Sequence, residues 1–163
     1  MKLELVSRQD ITSDLSTLSL DNVFTTTYDD YVIYCQKIGG TGSSINMRLL
    51  NTSGTEQSDS KYDFHQIYYS SGDIGYQRAS NQNRVYDFLW KGDNASMKVN
   101  IFGPMLATQT RGLVQGVREN TPGFWCGFNY TDNTEQHRGI KFYQQGASDA
   151  FDEGSIAVYG IVQ

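Results

Sequence analysis

The sequence predicts a single all-β domain, a jelly-roll-like antiparallel β-sandwich over residues 1–163. Three observations predict it. Apolar residues recur at every second position, and no stretch of ten or more residues carries the spacing of an amphipathic helix. Short clusters of Gly, Asn, Ser and Asp, the residues that tight turns require, separate the alternating runs. Composition agrees: the chain has 11 Tyr, 8 Phe and 16 Gly but only 2 Pro, and aromatic and β-branched residues favour strands.

Taken in order, strand-like alternation begins at Leu3 and Leu5. Leu18, Leu20 and Phe24 share one parity of the segment Ser16 to Phe24. Tyr31-Val32-Ile33-Tyr34-Cys35 is apolar on both faces, as a central strand is. Ile45, Met47 and Leu49 alternate with Asn46 and Arg48, and Met97, Val99 and Ile101 with Lys98 and Asn100. Phe124, Cys126, Phe128 and Tyr130 lie opposite Trp125 and Asn129, and Ile140 and Phe142 opposite Lys141 and Tyr143. Each of these runs is a half-buried strand, one face on a core and one in water. Ile156 to Val162 is again apolar on both faces, so this segment belongs inside a sheet.

Turns are expected at Gly39 to Gly42, Asn51 to Gly54, Ser70 to Asp73, Lys91 to Asn94, Asn120 to Gly123 and Asp152 to Gly154. Gly54 to Lys61 and Ser70 to Asn83 are polar and read as long exposed loops. The count is about ten strands. No repeat, linker or second domain is visible.

A chain of 163 residues buries roughly 70% of its unfolded surface, and so folds without disulfides or metal. The net charge of −5 argues against a nucleic-acid partner, because phosphate binding needs a basic patch. No apolar run approaches the roughly 18 residues of a membrane span, so no membrane insertion is expected. The segment Met1-Lys2-Leu3-Glu4-Leu5-Val6 is not a secretory signal. The protein is therefore expected to be made in a cytoplasm and, if it leaves, to leave inside or upon something else.

Residues that carry chemistry are few. Cys35 and Cys126 have no metal-ligand spacing and read as small buried hydrophobes, with their pairing left open. His65 falls in a strand and His137 in a loop, and neither has a nucleophile or second ligand beside it. The acidic groups Asp29 with Asp30, and Asp149 with Asp152 and Glu153, suit turns better than a glycosidase pair or a calcium loop. Asn51, Asn94 and Asn129 begin glycosylation-type triplets that a chain rich in Asn, Ser and Thr produces by chance. No phosphate loop, nucleophile elbow or zinc-protease motif occurs, and no cofactor is expected. Tyr68, Tyr69, Tyr76 and Tyr86 lie near polar loops and are candidates for interface or glycan contact.

Two segments carry a resemblance. One is Asp21-Asn22-Val23-Phe24-Thr25-Thr26-Thr27-Tyr28-Asp29-Asp30-Tyr31-Val32-Ile33. The other is Gly139-Ile140-Lys141-Phe142-Tyr143 followed by Phe151-Asp152-Glu153-Gly154-Ser155-Ile156-Ala157-Val158-Tyr159-Gly160-Ile161. Together they resemble a family of tailed-phage virion modules found in tail fibres, minor tail proteins and capsid decorations, marine phages included. The likeness covers the two ends of the chain and leaves Gly54 to Asn83 unaligned. Val158 stands where Leu is commoner, a change without physical consequence.

The resemblance implies a non-enzymatic structural protein of the virion surface. The expectation is a capsid decoration (knob or cement) protein on the head, made in the host cytoplasm. The alternative is a tail-fibre tip or minor tail adhesin that binds a host surface glycan. Alternation from Leu3 onward leads to the expectation of a stand-alone module, which suits a decoration protein better than a complete fibre and leaves a separate tip protein on another fibre as the alternative. Partners are then the major capsid protein or tail and fibre proteins, and a homo-oligomer, a trimer at a local three-fold, suits the particle. Tyr159 and Ile161 are the candidates for contact with a neighbouring subunit.

Overall fold

The computed structural model describes residues 2–41, 44–70, 73–90, 95–118, 121–144, 146 and 150–163. Twelve strands run in chain order: β1 (Lys2–Ile11), β2 (Thr17–Leu20), β3 (Asp30–Ile38), β4 (Ser44–Asn51), β5 (Tyr62–Ser70), β6 (Asp73–Gln82), β7 (Val85–Trp90), β8 (Ala95–Phe102), β9 (Arg111–Arg118), β10 (Thr121–Tyr130), β11 (His137–Gln144) and β12 (Gly154–Val162). They form an eight-stranded sheet, β1-β12-β3-β8-β9-β10-β5-β6, and a four-stranded sheet, β2-β11-β4-β7. Every ladder is antiparallel.

The strand order explains itself once β5, β6, β9 and β10 are set aside. The remaining eight strands, counted along the chain, then read 1-8-3-6 in one sheet and 2-7-4-5 in the other. That is a long antiparallel hairpin rolled into two sheets, the nesting of a jelly roll. Two hairpins are inserted into it. One, β5–β6, leaves between β4 and β7; the other, β9–β10, leaves between β8 and β11. They pair with each other through β5 and β10 and extend the sheet beyond β8.

The core lies between the sheets and follows the alternation of the strands. Ile33, Val99, Ile45, Met47, Leu49, Ile140, Phe142, Ile156 and Val158 are all buried in it. Phe88 of β7 stacks on Phe142 at 6.0 Å and meets Phe128 edge-on at 5.5 Å. One ring thus ties the small sheet to the inserted strands. Tyr62 and Tyr130, opposite each other on the adjacent inserted strands β5 and β10, meet edge-on at 5.0 Å. The Tyr62 hydroxyl accepts from the Leu49 amide and donates to the Gln57 carbonyl, so its burial leaves no unmet polar group.

The two resembling segments meet in space. β12 pairs with β3, setting Tyr31 opposite Gly160. A Cβ at Gly160 would overlap the Tyr28 ring, which explains a glycine there. Arg138 grips Asp21 through two hydrogen bonds of 2.7 and 2.6 Å, and Phe24 N donates to the Arg138 carbonyl.

Three expectations are corrected. Ser70 to Asn83 is not a loop: Asp73–Gln82 is an edge strand paired along β5. His137 is not in a loop but opens β11 and is fully buried. The described residues form twelve strands rather than about ten, because β6, β7 and β9 lack the apolar alternation that marks the others. Gly54 to Lys61 is free of strands, yet Gln57 within it is buried. The predicted turn Lys91 to Asn94, the residues Gly42, Ser71, Gly72 and Asn120 of other predicted turns, and Asp149 lie outside the described residues.

Candidate functional site

The outer face of the eight-stranded sheet departs most from an ordinary solvated surface. Period-two geometry decides what it carries. In β5, Tyr62, Phe64 and Gln66 point into the core, so His65, Ile67 and Tyr69 point out. In β10, Phe124, Cys126 and Phe128 point in and Trp125 and Gly127 point out. The registers align the outward residues: Trp125 sits opposite Ile67, Ile67 opposite Tyr76, and Tyr69 opposite Ile74.

These residues form an exposed apolar stripe. Tyr76 is 81% exposed, Ile74 74%, Val117 59%, Ile67 52% and Trp125 47%. Single exposed apolar side chains are ordinary, but a contiguous set on neighbouring strands marks a contact surface. All five stand on inserted strands and none on the eight-strand roll. The insertions close their own inner face on Phe88, Tyr86 and Tyr62, so the outward apolar side is not needed to fold them.

Beside the stripe runs a groove of about 1170 Å³. It crosses the strands from Trp125, past Gln115, Lys98 and Tyr34, to Arg8 and Asp10. Cross-strand pairing sets these residues in one row: Trp125 faces Gln115, Gln115 faces Lys98, Lys98 faces Tyr34, Tyr34 faces Ala157, and Ala157 faces Arg8. Ser96, Gln36 and Ser155 line it one row along. Lys37 enters at a register shift in β3, with a left-handed φ of 52° and its amide donating to Ser96 Oγ at 3.3 Å. A side chain held in that region costs roughly 1 kcal/mol and is found where the fold fixes it.

The residues singled out from sequence divide by face. Tyr69 and Tyr76 are on the outer face, within the stripe. Tyr68 and Tyr86 pack instead against the core; Tyr86 lies 6.0 Å from the Phe64 ring and carries Arg84 over its own ring. Tyr159 is on the outer face at the other end of the sheet, edge-on to Tyr34 at 5.8 Å. Ile161 lies beside it opposite Leu3. Sequence reasoning passed over Trp125, Ile67 and Ile74. The available signal was parity: Trp125 alternates with the buried Phe124 and Cys126 and so shares the side of Asn129.

His137 is buried; its Nδ1 lies 2.8 Å from Thr110 Oγ1, its ring stands edge-on to Tyr130, and Nε2 has no partner among the described residues. Burial holds its pKa down at about 4. His65 is exposed opposite Gly127 and Arg78. Burial pushes both thiols, Cys35 and Cys126, up to about 12, and both are free. They are protonated at neutral pH and unreactive. Asp30 accepts from the Gly103 amide and Asp29 from the Gln163 side chain, contacts that tie this segment to the residues after β8 and to the last residue of the sequence. Among the described residues no group of three or more His, Cys, Asp or Glu is gathered to hold a metal ion. The described residues include no helix, and so none long and apolar enough to cross a membrane.

Comparison with protein-family models finds no match, and neither does comparison with curated proteins.

Proposed function

We propose that this chain is a non-enzymatic surface protein of a tailed-phage virion, a decoration that docks on the head. The observation that carries the reading is the apolar stripe of Ile67, Ile74, Tyr76, Val117 and Trp125 on inserted strands. A rigid sheet that presents a contiguous apolar face has the form of a protein contact surface. Burying such a face is worth roughly 25 cal/mol per Å² before the costs of association. The fold itself is neutral between functions, since jelly rolls serve both capsids and lectins.

Two further features support a binding rather than a catalytic role. The His137–Thr110 pair is sealed in the core, out of reach of any substrate. The buried thiols are held in their unreactive form. In this reading the partners are the shell protein and further copies of the chain, arranged as a symmetric trimer. Tyr159 and Ile161 face the neighbouring copy.

The test is to locate the protein on purified particles by labelling or by density assignment in cryo-electron microscopy. Many copies over the head support decoration. A few copies at the tail transfer the protein to the adhesin class. Absence from particles contradicts the proposal.

A further inference from the structure

We infer that the groove between Trp125 and Tyr34 is a binding site for an acidic oligosaccharide. This goes beyond the docking role: the groove shares Trp125 and Val117 with the apolar stripe and extends from them across the same sheet face to Arg8 and Asp10.

The geometry comes first. Trp125 on β10 and Tyr34 on β3 are separated by three strand spacings, roughly 14 Å, along one cross-strand row. Gln115 and Lys98 stand between the two rings, and Ser96, Gln36 and Ser155 stand one row to the side. Rings at both ends with amide, hydroxyl and ammonium groups between them suit a chain of sugar units. A pyranose offers an apolar C–H face that lies on an aromatic ring and an equatorial edge of hydroxyls that hydrogen-bond alongside. The span exceeds one sugar and matches a short oligosaccharide.

Charge narrows the class. The whole chain has a net charge of −5, yet the groove holds Arg8, Lys37 and Lys98 against Asp10 and Glu153. Arg8 and Asp10 pair with each other at 3.0 Å. Lys37 and Lys98 have no ion-pair partner among the described residues. The two free ammonium groups favour a sugar that carries carboxylates.

Other occupants fit less well. An extended peptide adds to a sheet by its edge, but β10, β9, β8, β3 and β12 are all internal strands with paired backbones. A nucleic-acid strand brings a phosphate per residue and needs a continuous basic track, which two lysines beside Glu153 do not make.

The experiment is titration calorimetry of the full chain with oligogalacturonate, with neutral cello-oligosaccharide and oligo-dT as comparators. Saturable binding of oligogalacturonate, stronger than of the neutral sugar, is expected. Trp125→Ala is expected to weaken it about tenfold or more, with Trp125→Phe recovering part of the loss. Lys98→Gln is expected to narrow the preference for the acidic sugar. Trp125 and Lys98 lie on the solvent side of the sheet, so both variants are expected to keep the wild-type circular dichroism, and Lys98→Gln, which lies outside the apolar stripe, is expected to keep head binding as well. The double change Ile74→Glu and Tyr76→Glu is expected to remove head binding and leave the sugar titration unchanged. Failure of the docking proposal and failure of this one are thereby separate results. No oligogalacturonate binding, equal binding by folded Trp125→Ala, or tighter binding of oligo-dT would overturn the assignment.

Discussion

At the scale of single residues, His137 is the group with the clearest consequence. Burial lowers its pKa from 6.5 to about 4, against the attraction of Asp132 and with the repulsion of Lys61. The unfolded chain therefore takes up the proton more readily than the folded one. Stability is full above about pH 6.5 and falls as the pH drops towards about 4. The shift corresponds to a loss of about 2 kcal/mol between about pH 7.5 and about pH 5. Urea unfolding at the two pH values measures it, and His137→Asn is expected to remove most of the difference. Equal pH dependence in the variant would assign the effect elsewhere. This residue was illegible in the sequence for a physical reason. Glu135-Gln136-His137-Arg138 is polar throughout, and only the partner rings and Thr110, distant along the chain, make its burial tolerable.

At the scale of strands, legibility followed the number of buried faces. Ile45, Met47 and Leu49 alternate with Asn46 and Arg48 because one side of β4 meets a core. β3 and β12 stood out through apolar residues on both faces. The strand β9 did not, because two of its inward positions are Gly112 and Gly116, where Phe128 and Met97 fill the space a side chain would take. The strand β6 did not, because it is an edge whose large apolar residues, Ile74 and Tyr76, face water. The glycines give a sharp contrast between faces. A Cβ at Gly112 would overlap the Phe128 ring, whereas one at Gly127, on the outer face of β10, meets nothing within 4 Å. Gly112→Ala is expected to cost about 2 kcal/mol through overpacking. Gly127→Ala is expected to stay within about 0.5 kcal/mol of wild type. Thermal unfolding of both variants checks the pair, and equal effects would mean that the face assignment of β9 and β10 is wrong.

The whole molecule is a rolled hairpin with two insertions. Its closure depends on β12, which lies between β1 and β3 and buries Ile156 and Val158. Truncation after Gly154 is expected to leave no cooperative unfolding transition in calorimetry; a folded, soluble product would refute the central place of that strand. The sandwich class could be read from alternation and turns, since both are local. The division into roll and insertions could not, because it resides in which strands pair. The exposed apolar face was half legible for the same reason. Tyr69 and Tyr76 were visible as aromatics near polar segments, but their alignment with Ile67 and Trp125 exists only through the β5–β6 and β5–β10 registers.

The central claim is that the inserted strands dock this protein on a phage head. Its most direct measurement is the number of copies bound per purified head, for wild type and for the chain carrying Ile74→Glu with Tyr76→Glu. Both positions are exposed on an edge strand, so the variant is expected to fold. Saturable binding of many wild-type copies with near-complete loss in the folded variant is the predicted result. Undiminished binding by the variant, or no binding by wild type, would contradict the account.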